Sequence, residues 1–90
     1  MSAMIISSLD RFIDMARKLE DRGVTNIHFC YAKNNGDLDI SVIALVPFVD
    51  FVILGKDAHY SPYLNQIIEE ARTRRIPVLP EERIAAVKNI

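Results

Sequence analysis

The chain has 90 residues, half of them apolar and 26% charged, with a formal net charge of −1. Its length suits one small domain (residues 1–90) and excludes a multidomain enzyme. The near-neutral balance lacks the basic excess that coating nucleic acid or an anionic membrane surface requires.

Residues 3–6 are an apolar stretch long enough for one strand, and Ser7 and Ser8 follow it as candidate helix caps. From Leu9 the apolar positions Leu9, Phe12, Ile13, Ala16 and Leu19 recur at helical spacing and predict a buried stripe. Asp10 and Asp14 near the start, with Arg17, Lys18 and Arg22 near the end, complement the helix dipole. Gly23 supplies a C-terminal stop. Ile27, Phe29 and Tyr31 then alternate with Asn26, His28 and Cys30, the period-two pattern of a strand with one wetter face. Asn34, Asn35, Gly36 and Asp37 are turn residues, because Asn and Gly tolerate the positive φ of tight turns. They predict a hairpin over residues 27–43, with a short helix over 41–46 as the alternative.

Residues 48–54 are almost continuously apolar and predict a central strand covered on both faces. The apolar run over residues 40–54 is broken by Pro47 and Asp50 and falls short of the ~20 residues of a membrane span. Ser61 and Pro62 open a second long helix, a hydroxyl cap followed by a proline whose missing N–H costs nothing there. Leu64, Ile67, Ile68 and Ala71 form its buried stripe, and Arg72, Arg74 and Arg75 close it. A short strand is expected at residues 76–79. Pro80, Glu81 and Glu82 begin a last helix burying Ile84 and Val87. Helices alternating with apolar strands predict an α/β fold: a small three-layer sandwich with a four-stranded, mainly parallel sheet and about three flanking helices.

Neither Gly-rich phosphate-loop pattern is present, so Gly55, Lys56 and Asp57 read first as a strand exit. His28 and Cys30 share one strand face at a spacing that metal ligation or a thiolate–imidazole pair would use, but a zinc site needs four ligands. No metal site and no cofactor are expected. The carboxylate pairs Glu69–Glu70 and Glu81–Glu82 read as solvated helix faces, since adjacent helical residues point in different directions. Three arginines within residues 72–75 read as dipole complement and solubility more than as a phosphate grip. The stronger candidate is an anion or partner site. A helix start directly after a parallel strand presents free N–H groups, and ligands of open α/β sheets gather at the carboxyl ends of strands. Ser7, Ser8, Lys56, Asp57, His59, Tyr60 and Ser61 are expected there, with the aromatic loop around Tyr60 and Tyr63 as a contact surface.

Residues 49–55 (VDFVILG), 71–79 (ARTRRIPVL) and 81–84 (EERI) together resemble a BRCT domain. They match that family's third strand ending in Gly, its second helix running into A-x-x-x-x-I-P-V, and the acidic turn opening its last helix. The first half matches in layout only. The chain departs from the family in having no tryptophan. Ser8 stands where phosphoserine-binding members carry Gly, and Ile67 roughly where they carry Lys. The resemblance implies a sheet of order 2-1-3-4 with one helix on one face and two on the other. It also implies a non-catalytic module that docks a protein partner of DNA repair or replication through helix surfaces, with a homodimer allowed. The competing reading is a small nucleotide- or phosphate-binding α/β protein. A single cysteine, which allows no internal disulfide, and an opening without a signal-peptide pattern lead to an expected cytoplasmic location.

Overall fold

A computed structural model of the protein describes residues 1–31, 41–58 and 62–87. Its sheet has four strands, β1 (Ser2–Ser7), β2 (Asn26–Tyr31), β3 (Phe51–Leu54) and β4 (Val78–Pro80), in the order β2-β1-β3-β4. Every pairing is parallel: Ser2 lies opposite Asn26, Ala3 opposite Phe51 and Val52 opposite Val78. β1 is central, and Ala3, Met4, Ile5 and Ile6 have no exposed surface at all. Such a strand must be apolar on both faces, which its sequence is.

The alternation of side chains divides the core in two. Ala3, Ile5, Phe51 and Ile53 face helix α1 (Leu9–Glu20) and the 3-10 helix Glu81–Ala86, and pack with Met15, Ala16, Leu19, Ile84 and Val87. Met4, Ile6, Cys30 and Val52 face the other way, toward Leu64, Ile67 and Ala71 of helix α3 (Pro62–Thr73) and toward Val46 and Val49. Helix, sheet and helix make three layers.

Four expectations change in detail. First, Leu9 and Ile13 are not buried: they are 53% and 47% exposed, and Met15 takes their place in the core. The buried arc of α1 is centred on Leu19 and Phe12, whose ring lies tilted on that of Phe29 at 4.6 Å, and Leu9 and Ile13 fall beyond its edge. Second, the sheet has no antiparallel pair among the described residues. Ser41–Leu45 is a short helix, α2, as the alternative reading held, and the turn at residues 34–37 lies outside the described residues. Third, the strand expected from residue 48 begins only at Phe51. Pro47 and its neighbours form a 3-10 turn, Val46–Phe48, and Phe48 is 74% exposed. The Ser2 hydroxyl donates to the Phe48 carbonyl (2.9 Å), and the Ser2 N–H to the Asp50 carboxylate (2.7 Å), so these groups are used outside the ladder. Fourth, the last helix is 3-10 rather than α, although it buries Ile84 and Val87 as its spacing predicted.

Both long helices end in the same two-bond cap. In α1 the Gly23 N–H bonds the Glu20 carbonyl and the Val24 N–H that of Leu19. In α3 the Arg75 N–H bonds Arg72 and the Ile76 N–H bonds Ala71. The left-handed residue is Gly23 (φ 87°) in the first and Arg75 (φ 59°) in the second.

Candidate functional site at the carboxyl ends of the strands

The chain leaves β1 toward β2 and re-enters the sheet on the other side of β1 as β3. The ends of β1 and β3 therefore flank the switch point where open parallel sheets bind their ligands. Ser7, Ser8, Lys56 and Asp57 all stand there, as their places in the sequence predicted, whereas His59, Tyr60 and Ser61 lie outside the described residues.

The switch point is closed by the chain's own groups. The Gly55 N–H donates to the Ile6 carbonyl at 2.9 Å, carrying the β1–β3 contact past the end of the ladder. Gly55 is required for this approach: a Cβ there would stand 2.9 Å from the Ser7 Cβ and 3.0 Å from the Ile6 carbonyl oxygen. Ser7 is fully buried, and its hydroxyl donates to the Ser8 carbonyl at 2.8 Å, which leaves no face toward a ligand. The Ser8 N–H, at the start of α1, donates to Asp57 Oδ2 at 3.1 Å. The place an external anion would take at this helix start holds a carboxylate already.

A second layer of charge covers the first. The Arg11 guanidinium bonds the Glu81 carboxylate, and its Nε lies 3.9 Å from Asp57 Oδ1. The Lys56 N–H donates to Glu81 Oε1 at 2.8 Å, while its ammonium lies 3.4 Å from Glu82 in solvent. Three separate segments, α1, the turn after β3 and the C-terminal 3-10 helix, are thus joined through Arg11 and Glu81. Burial pushes the Asp57 carboxyl up, but hydrogen bonding from Ser8 and the Arg11 charge outweigh it, and the carboxyl lies below its ordinary value. Burial likewise opposes ionisation of Glu81, and the Arg11 and Lys56 hydrogen bonds with their charges overcome it. The hydrogen bond and charge of Glu81 hold the Arg11 guanidinium above its ordinary value. The adjoining cleft of about 220 Å³ is lined by Asp10, Arg11, Asp14 and Glu81. With its one cation paired and three carboxylates around it, it is a poor seat for phosphate.

The remaining candidates resolve as structural features. Cys30 is 1% exposed and burial pushes its thiol up to about 11, so it is not a thiolate at neutral pH. No group of three or more His, Cys, Asp or Glu side chains is placed to hold a metal ion among the described residues. Glu69 pairs with Arg72 (2.9 Å) and Glu70 with Arg74 (2.6 Å) along the surface of α3. Two of the three clustered arginines are thus committed to carboxylates of α3, Arg72 from within the helix and Arg74 from the turn just after it. Glu81 and Glu82 part company, one turned in to Arg11 and the other out to the Lys56 ammonium. Sequence reasoning placed Ser8 and Asp57 together but missed Arg11 and Glu81 as members of the site. They are seventy residues apart, and no local pattern signals such a pairing.

Comparison of the chain with known protein families, curated proteins and solved structures finds no match to any of them.

Proposed function

We propose that the chain is a non-catalytic protein–protein interaction module of BRCT-like type, with a partner in DNA repair or replication. The observation that carries this reading is the closed switch point. The crevice in which a nucleotide-binding or catalytic α/β protein would hold its ligand is filled by Asp57, Arg11 and Glu81. The parallel order β2-β1-β3-β4 also supports it. So does the packing of α1 and the C-terminal 3-10 helix on one face with α3 on the other, which agrees with the layout that the resemblance in residues 49–55, 71–79 and 81–84 implies. Contact is expected through helix surfaces, as the resemblance implies. Direct binding of nucleic acid is disfavoured by the net charge of −1 and by the internal pairing of Arg72 and Arg74. No helix among the described residues is long and apolar enough to cross a membrane, and we place the module in the cytoplasm.

The test is affinity capture of the intact chain from cell extract, with and without nuclease, followed by mass spectrometry. Recovery of a repair or replication protein that survives nuclease treatment is expected. A nucleotide retained stoichiometrically by the purified protein would instead favour the small phosphate-binding reading.

A further inference from the structure

We infer that the chain forms a two-fold homodimer through the outer flank of α1, a property that stands apart from the module reading. Three of the six charged side chains along this helix already have partners. Arg11 is bound to Glu81, and Asp14 lies 3.1 Å from Lys18. Asp10, Arg17 and Glu20 are exposed and have no ion-pair partner among the described residues. Leu9 and Ile13, a single turn apart, are the two large apolar side chains that α1 leaves about half exposed. At 100° per residue, Leu9, Ile13, Arg17 and Asp10 fall within one sector of about 100°, with Glu20 in the same sector at its C-terminal end, beyond the residues that meet across the axis. That sector lies away from the cleft that Lys18 shares with the 3-10 helix Glu81–Ala86, and only Asp10 at its edge also lines the cleft beside Arg11.

Only one occupant is guaranteed to complement this pattern, a second copy running antiparallel. A two-fold axis in the interface, crossing midway between residues 13 and 14, returns the same flank of each helix to the other. Ile13 then packs beside the Ile13 of its copy near the axis. Asp10 and Arg17 are equally far from that point along the helix, so each Asp10 meets the partner's Arg17, twice per dimer. Leu9 extends the apolar seam at either end. Helix-on-helix contact of this kind buries less than the ~1,600 Å² of a standard stable interface. Association is therefore concentration-dependent, with a dissociation constant of order micromolar or weaker.

Sedimentation equilibrium of the intact chain, from roughly micromolar to millimolar concentration, is expected to carry the mass from 10.2 kDa toward twice that value. Asp10→Arg and Arg17→Asp should each weaken association at least about tenfold, since each sets like charges opposite one another at both ends. The double variant Asp10→Arg/Arg17→Asp should recover it. Ile13→Glu, at an exposed position, should keep the native circular dichroism and remain monomeric throughout. A wild-type chain that is monomeric across the range overturns the proposal. So does a dimer indifferent to Ile13→Glu, or charge reversals that the double variant does not rescue.

Discussion

Arg75 and Gly23 hold the same place in two equivalent helix caps, and only one of them suits it. A left-handed backbone costs a side-chain-bearing residue about 1–2 kcal/mol, which glycine avoids at some loss of unfolded-state entropy. Arg75→Gly should therefore raise stability by about 1 kcal/mol, and Gly23→Ala should lower it by a comparable amount. Both are read from the urea midpoint at constant m-value. Gly55 differs from these, because space and not φ constrains it. A methyl group there meets the Ser7 Cβ and the Ile6 backbone, neither of which can swing aside. Gly55→Ala is expected to cost roughly 1–3 kcal/mol, the range for overpacking a close-packed site.

Among the elements, β2 forms one edge of the sheet among the described residues, yet α3 and its neighbours cover the face that carries Cys30. With the thiol buried and pushed up to about 11, a thiol reagent at about pH 8 should label Cys30 slowly in the native protein. The rate should rise steeply as urea approaches the unfolding midpoint. Rapid labelling without urea would show that β2 is open to solvent. The elements were legible in the sequence wherever local chemistry decided them. Gly23 ends α1, the stripe of Leu64, Ile67 and Ala71 is the buried face of α3, and residues 3–6 form a strand. They were not legible where a distant group decided. Residues 48–54 read as one strand, but Pro47 sets a 3-10 turn and Ser2 binds the Phe48 carbonyl. Leu9 and Ile13 fit the helical period of α1, but the sheet beneath meets an arc that excludes them.

For the whole molecule, the ionic cluster links the ends of the chain to its middle and makes stability depend on pH. Asp57 and Glu81 ionise more readily when folded than their ordinary values allow, so the native state binds fewer protons than the unfolded one. Their contribution is fully present above the ordinary carboxylate range near pH 4. It is lost as pH falls through the lowered values. The urea midpoint should drop on acidification from about pH 5 to about pH 2. The double variant Asp57→Asn/Glu81→Gln should be less stable at neutral pH and show a shallower fall. The lower layer of this site, Ser8 and Asp57 at adjacent strand ends, could be placed from strand–helix alternation alone. Its closure could not, since it depends on Arg11 and Glu81 meeting across the fold.

The closed switch point is the feature on which the module reading rests, and thermal unfolding with inorganic phosphate tests it most directly. Millimolar phosphate, compared with sodium chloride of equal ionic strength, should leave the wild-type Tm unchanged. Asp57→Ala exposes the Ser8 N–H while Arg11 stays bound to Glu81, and should melt lower by an amount corresponding to about 1–3 kcal/mol. Phosphate should then restore part of that loss saturably. A saturable rise in the wild-type Tm beyond the salt control, as large as that in Asp57→Ala, would mean that the site is open to external anions and that Asp57 does not fill it.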